Sequence, residues 1–475
     1  MRHPPEGEEL SRRGRLIVLA VCCMSLLIVS LDITALNVAL PSLQKDLDAD
    51  VSGLQWTLDT YTVVLASFLM LAGSTADRVG RRRVFRIGLV VFTAGSVLCA
   101  LAPGLPWLVC CRALQAVGGS MLNPVAISII TNTFRDPREL ARAIGAWGAV
   151  VGVSMAVGPL VGGALVHSFG WRSIFWLNLP VGLLALVLTA RFVPESRAAH
   201  ARRLDPVGQL LVIALLGSLT FGIIEGGNEG WGSPLIVGCF AAAACALAGL
   251  LVYEPRRPEP LIELGFFRSV PFSGAIGIAV VAFSGMGGFL FLTTLTLQND
   301  QGLSPLAAGL HLLPMAATTM LFSPLSGQLV AHVGARVPLV AAGAAIAASG
   351  ALLAWREGEL TGVSYLLAFV AFGTGFGLVN APITNTAVTG MPRARAGVAA
   401  GLASTGRQVG SALGIAVVGT TLAAGARTAG WWIICGCGVL VLVCGVLTTG
   451  SRARASAERT AARFEGTEAS GARAR

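Results

Sequence analysis

The sequence predicts an all-α integral membrane protein of fourteen spans, built as two six-helix bundles with two linker helices between them. Three observations predict it. The 475-residue chain is 54% hydrophobic and 12% charged, where soluble domains run nearer a quarter charged. Apolar stretches of about 20 residues, the length that crosses a bilayer as a helix, recur along it. Two short motifs also repeat at an offset of about 255 residues.

Taken in order, the spans are expected at 16–40, 54–72, 84–102, 107–130, 140–166, 171–193, 207–224, 234–253, 270–297, 307–331, 337–355, 361–380, 397–424 and 429–448. Residues 1–15 are polar and basic, and the run behind them is longer than a signal-peptide core, so it reads as an uncleaved first span. The bundles are then 16–193 and 270–448, with a linker at 194–269. The tail at 449–475, rich in Ala, Arg, Glu and Gly, is expected to be loosely ordered.

Arginine placement checks the count. One set of gaps holds Arg12, Arg13 and Arg15, then Arg78 and Arg81–Arg83, Arg135 and Arg138, Arg197, Arg202 and Arg203, Arg256, Arg257 and Arg268, Arg336, and Arg393 and Arg395. The alternate gaps hold little beyond Lys45, Arg356 and Arg427. A missed span would scramble this alternation. The positive-inside rule places both termini in the cytoplasm.

The repeat supports two parallel halves. "GSTADRVGRRR" from Gly73 is echoed by "GQLVAHVGAR" from Gly327, and "GGSMLNP" from Gly118 by "GFGLVNAP" from Gly375.

Composition also excludes functions. The net charge of +10 falls in short gaps between apolar runs, not on a soluble basic face, so no nucleic-acid partner is expected. The ten cysteines lie in apolar runs without zinc spacing, and no metal or cofactor is expected. Lys45 is the single lysine and stands outside any Gly-rich loop, which excludes a Walker A ATPase. The five histidines are scattered and no hydrolytic constellation is present, so an enzyme is not expected. Arginine in place of lysine, with abundant alanine, glycine and valine, points to a GC-rich bacterial genome.

Charged residues inside the spans carry the chemistry. Asp32 lies in "LDITALNVALP", where an acid costs roughly 2.5–3.5 kcal/mol to insert. It is tolerated if it faces a wet cavity or a cation, or if it is protonated. Arg112 opens "RALQAVGGSMLNP", with Gln115, Gly119 and Asn123 on the same helical face. The depths of Asp32 and Arg112 in their spans differ by roughly 5 Å, which suits a partnership. Asp59 is equally deep, on a stripe with Gln55 and Thr62. Proton coupling through Asp32, Arg112 and Asp59 and a plain structural ion pair both remain open. Ser30, Thr34 and Asn37 form one face of the first span and Asp32 points nearly opposite, so the two faces serve different neighbours.

In "GSTADRVGRRR", Gly73 and Gly80 allow tight turns, and Asp77 sits among Arg78, Arg81 and Arg82, where paired charges are expected. In "GVSMAVGPLVGG", following Gly152, the recurrence of Ser154, Gly158 and Gly162 every four residues lets a neighbouring backbone approach. Pro159 removes a helix hydrogen bond and bends the span, and Gly163 doubles the last glycine.

Together these strings resemble those of the major facilitator superfamily, in its fourteen-helix drug:proton antiporter family, over essentially the whole membrane region. The resemblance implies that Asp77 and Arg78 latch the two halves on the cytoplasmic side. It implies that Arg112 takes part in proton transfer. The G-P-x-x-G-G string implies export. "WRSIFWLNLPVG" from Trp171 also matches, its aromatics expected at a membrane interface, as does "GGNEGWGSP" after Glu225. Span 307–331 carries no acid, which argues against dicationic substrates.

The expected function is export of a lipophilic drug or antibiotic across the bacterial cytoplasmic membrane by a monomer, driven by protons. Asn37, Gln115, Asn123, Glu225 and Arg407 are pathway candidates; Glu225 is equally well an interface acid. A transporter of a native metabolite such as an amino acid or siderophore, and a non-transporting membrane sensor, are the alternatives.

Overall fold

The computed structural model describes residues 11–198, 204–257, 259–355, 362–389 and 396–473. The expectations that rest on residues 1–10, Arg202, Arg203, Arg356, Arg393 and Arg395 lie outside them. The described residues are helical, with no strand among them. The first seven helices are α1 (Arg12–Leu47), α2 (Val51–Val79), α3 (Arg81–Ala100), α4 (Leu105–Ser120), α5 (Asn123–Thr133), α6 (Pro137–Phe169) and α7 (Arg172–Phe192). Next come α8 (Pro206–Glu229) and α9 (Pro234–Tyr253). The remainder are α10 (Val270–Leu295), α11 (Pro305–His311), α12 (Leu313–Val333), α13 (Arg336–Trp355), α14 (Gly362–Val388), α15 (Ala396–Ala423), α16 (Arg427–Thr448) and α17 (Ser451–Arg473).

Among the described residues, 12 helices are long and apolar enough to cross a membrane, α4 with α5 and α11 with α12 each forming one. Counting α6, which bends by 42° between Arg138–Met155 and Val157–Phe169, makes 13. The bend has a cause in the sequence: the ring of Pro159 meets the carbonyl four residues back, that of Met155. The 28-residue α15 is the expected thirteenth span, but with Arg407 and Gln408 inside it falls short of that apolarity.

Three local expectations change. First, α1 runs through Pro41 to Leu47 rather than ending at residue 40. Second, the span holding Arg112 breaks after Ser120. Pro124 has no N–H to continue the ladder, and Met121 and Leu122 instead close tight turns onto the carbonyls of Gly118 and Gly119, both at 3.1 Å. The echo in α14 tolerates Pro382 without a break, with Asn380 donating to the Phe376 carbonyl at 3.1 Å. Third, residues 451–473 form a helix, as their Ala, Arg and Glu content permits. Phe464 packs edge-on to Phe266 with centroids 5.4 Å apart, and Ser456 Oγ accepts from the Val270 amide at 2.9 Å.

Helices α1–α7 pack on one another around a core that includes Tyr61, Phe85 and Phe92. Helices α10–α16 pack around a second, where Phe289 and Phe372 stack at 3.9 Å. Small residues set the helix spacing in the second bundle: a Cβ on Gly410 or Gly414 would collide with the Val280 or Ser284 carbonyl of α10.

The bundles meet at the end that holds the α1–α2 turn. Gln55 donates to the carbonyls of Ile415 and Ala416 at 3.1 and 2.7 Å. Gln298 donates to the Val38 carbonyl at 2.8 Å, and Asn299 to Gln44 at 3.1 Å. Helix α8 lies on the α2/α15 seam: Gln209 donates to the Ser67 carbonyl at 2.8 Å, and Thr420 to the Ile223 carbonyl at 3.0 Å. Toward the opposite, arginine-rich end, α6 is exposed at Ile144, Gly145, Ala146, Gly148 and Ala149, more of its circumference than one lipid-facing stripe.

Candidate functional site

Asp32 and Arg112 meet in the interior of the first bundle. Both are 1% exposed, and Arg112 Nη1 donates to Asp32 Oδ2 at 2.5 Å. The second oxygen of Asp32 accepts from Gln115 at 2.9 Å and from Asn178 of α7 at 2.8 Å. Arg112 is held in turn. Its Nη1 also donates to Gln115 at 2.8 Å, its Nε to the Thr57 carbonyl at 3.2 Å, and its guanidinium stacks 4.3 Å from the Tyr61 ring centre. Four helices, α1, α2, α4 and α7, thus converge on one ion pair, and each carboxylate oxygen has a donor. Such a pair offsets the cost of both charges only while both partners are present.

The sequence identified Asp32, Arg112 and Gln115 but not Asn178, Ser96 or Tyr61. Asn178 also donates to Ser96 at 3.0 Å, and Ser96 to the Phe175 carbonyl at 2.9 Å, which locks its rotamer. A signal was present: Asn178 is a lone amide within an apolar span. The "WRSIFWLNLPVG" aromatics are not a lipid-facing belt. Trp171 and Phe175 are buried, Trp171 donating to Asp46 at 2.8 Å and Phe175 lying 5.7 Å from the Arg112 guanidinium; only Trp176 is exposed.

Asp59 does not join this network. It shares a face of α2 with Gln55, which turns to α15, whereas Thr57 and Tyr61 face Arg112. It is fully buried, accepts from Thr62 at 3.5 Å, and its other oxygen has no partner among the described residues. A charge there has no counterion among the described residues.

Asp77 pairs with Arg81 one turn on, at 2.9 and 3.1 Å, not with the other bundle. Gly80, at φ +126°, leaves room for Glu195, whose carboxylate takes the Arg82 amide at 3.1 Å. Arg82 donates onward to the Ala190 carbonyl, and Arg78 is exposed. Gly73 stands in looser surroundings, where an added Cβ would lie 3.9 Å from Pro124. Among the described residues the motif ties α2 and α3 to the segment after α7, so the inter-bundle latch is not made in this arrangement.

The α6 glycines seat two neighbours. A Cβ on Gly158 would strike Thr34, and one on Gly162 would lie 2.8 Å from Ala35 Cα, so α1 packs directly on α6. On Gly163 it would lie 2.6 Å from the Pro305 carbonyl of the second bundle, while Gly309 of α11 abuts the Pro159 carbonyl. Gly152 has open space beside it. Thr34, on the face of α1 opposite Asp32, reaches the Ser154 carbonyl at 3.4 Å.

The remaining pathway candidates separate. Asn37 is buried and donates to the Ile33 carbonyl at 2.9 Å, and Asn123 stands at the α4–α5 break; the amide oxygens of both have no partner among the described residues. Glu225 accepts from Trp56 of α2 at 2.6 Å and from Asn228 at 3.1 Å, so it fastens α8 to the first bundle. Arg407 lies between α10 and α14, 5.8 Å from the Phe283 ring centre, with Nη2 donating to Thr384 at 2.6 Å.

The fold resembles that of the crystal structure of a D-xylose-proton symporter, with a TM-score of 0.65, 14% identity, and coverage of 92% of this chain and 98% of that one. The family model described as Major Facilitator Superfamily matches residues 22–415. The chain belongs to the Major Facilitator Superfamily. Its relatives place it in the drug-efflux branch of that superfamily. It is 38% identical over 412 residues to multidrug resistance protein Stp of Mycobacterium tuberculosis, covering 87% of this chain and 76% of that protein. It is 37% identical over 411 residues to the tetracenomycin C resistance and export protein of Streptomyces glaucescens, with 85% and 75% covered. The methylenomycin A resistance protein of Streptomyces coelicolor is 34% identical over 404 residues, with 83% and 82% covered. This superfamily member is therefore a multi-pass membrane protein of a transporter family, not of an enzyme family, and its Asp32–Arg112 pair lies within the matched region.

Proposed function

We propose that the chain is a proton-coupled antiporter that exports lipophilic drugs or antibiotics across the bacterial cytoplasmic membrane. It acts as a monomer with fourteen crossings, both termini cytoplasmic, and the proton gradient as its only energy source. It needs no cofactor and no nucleic-acid partner. The observation that carries the reading is the buried Asp32–Arg112 pair with its two amide partners. A carboxylate whose charge is balanced by one cation is a two-state element: protonation cancels its hold on Arg112 and redistributes the donors around it.

With the arginine-rich end in the cytoplasm, the arrangement is closed outside, through Gln55, Gln298 and Asn299, and the exposure of α6 at Ile144, Gly145, Ala146, Gly148 and Ala149 supports an opening inside. In the outward-open state the outer contacts part, Asp77 exchanges Arg81 for a partner across the cytoplasmic seam, and a proton reaches Asp32 from outside. Return to the inward state releases it. Drug and proton occupy the protein in alternation because each favours a different member of this equilibrium.

A susceptibility screen in an efflux-deficient bacterial host tests the reading. Wild type should raise resistance to lipophilic compounds, and Asp32→Asn should lose that protection at equal expression. Equal protection by both would remove Asp32 from the mechanism.

A further inference from the structure

Among the described residues, the second bundle holds a membrane cation, Arg407, with no acid paired to it. Residues 270–448 contain three acids, Asp300, Glu357 and Glu359. Asp300 is paired with Arg427 at 2.5 Å. Glu357 and Glu359 lie outside the described residues. In the first bundle Asp32 is held by Arg112, and Asp59 makes no bond to Arg407. Arg407 is left with one hydroxyl, Thr384 Oγ1, and a buried Nε that has no partner among the described residues.

We propose that Arg407, with Phe283 and Thr384 beside it, binds the acidic group of an aromatic anionic substrate. Arginine presents its donors as a planar fork that matches carboxylate, sulfonate or phenolate oxygens, and among the described residues only Nη2 of this fork is engaged, by the Thr384 hydroxyl. The surroundings suit the rest of such a molecule. Phe283 lies under the guanidinium and is edge-on to Phe376 with centroids 5.0 Å apart, offering an apolar wall to a ring system. Thr384 and Asn385 are exposed on α14, so the group borders accessible surface.

Charge balance supplies the selectivity. Water that reaches the group from the exposed side of α14 screens Arg407. Closure of the bundles over it would strip that water away, and an uncompensated cation within a membrane protein is expensive. An anionic substrate removes this cost and a cationic one adds to it. Closure therefore favours the anion, whereas Arg112 makes no such demand because Asp32 already neutralises it.

That the bound anion is cargo rests on the export reading; that Arg407 selects an anion does not, and the experiment separates the two. Purified full-length protein in lipid nanodiscs is titrated calorimetrically with 2-naphthalenesulfonate and with 2-naphthyltrimethylammonium, an aromatic anion and cation of similar size. Wild type should bind the sulfonate at least tenfold more tightly. Arg407→Gln should lose that preference and Arg407→Lys should keep most of it. No preference in wild type overturns the proposal even if Arg407→Gln fails to fold, and a preference retained in folded Arg407→Gln overturns it too. Anion preference without transport of either probe in liposomes would leave the anion site standing and remove the export reading.

Discussion

Asn178 and Gln115, from helices α7 and α4, donate to the same carboxylate oxygen of Asp32, at 2.8 and 2.9 Å. Both are amides, able to offer an acceptor as well as a donor once turned. They can therefore serve Asp32 charged, through N–H, and Asp32 protonated, through C=O. The amide of Asn178 is positioned by Ser96 at 3.0 Å.

Asn178→Ala removes a hydrogen bond to a charged group, typically about 1.5–3 kcal/mol. Drug/proton exchange at equal expression should fall at least tenfold in Asn178→Ala, and Asn178→Gln should not restore it because Ser96 fixes the shorter amide. Unchanged exchange in both variants would leave Asn178 a packing residue only.

The ion pair predicts non-additive stability. Arg112→Ala leaves Asp32 uncompensated and should destabilise the protein by about 3–5 kcal/mol. Asp32→Asn combined with Arg112→Gln should cost less than Arg112→Ala alone, because no buried charge remains. Thermal unfolding of detergent-purified variants reads the difference. Simple additivity would mean that the pair is not formed.

At the seam between the bundles, Gly163 faces the Pro305 carbonyl with no space for a side chain. Gly163→Leu should wedge α6 from α11 and lower exchange at least tenfold, while Gly436→Leu, in open space on α16, should change it by less than about twofold. Equal rates in the Gly163 variant would show that the contact is not needed for closure.

At the arginine-rich end, Asp77 and Arg81 form a part-exposed pair within one turn of chain. Such pairs contribute about 0–1 kcal/mol. Asp77→Asn should therefore leave unfolding nearly unchanged while slowing transport severely, because the partner proposed for it across the seam belongs to the outward-open state. A large loss of stability with proportionate transport would assign Asp77 to the fold instead.

The membrane class and most of the helices were legible because hydrophobic length and arginine alternation are local signals. The Asp32–Arg112 contact was legible from depth and periodicity, which say how far along a helix and on which face a residue stands. Those signals do not say which helix packs there. Asn178 is neutral and 146 residues from Asp32 in the chain, so only the packed bundle brings it to the carboxylate. The same limit explains Asp59, whose depth matched but whose neighbour Gln55 on that face turns to α15, and Trp171, whose aromatic character suited a lipid interface although it is buried and donates to Asp46. Helix α17 escaped for a different reason: its polar composition resembles a disordered tail, and the phenylalanine contact that anchors it is a single residue, Phe464.

Proton release driven by drug is the most direct test of the central claim. Wild-type protein and Asp32→Asn are reconstituted into liposomes with a lumenal pH dye, and a drug from the susceptibility screen is added across an imposed pH gradient. Wild type should move protons against the drug flux with a rate that saturates with drug concentration. Asp32→Asn, folded and inserted to the same extent, should move none. Drug-driven proton flux of wild-type size in Asp32→Asn would contradict the account.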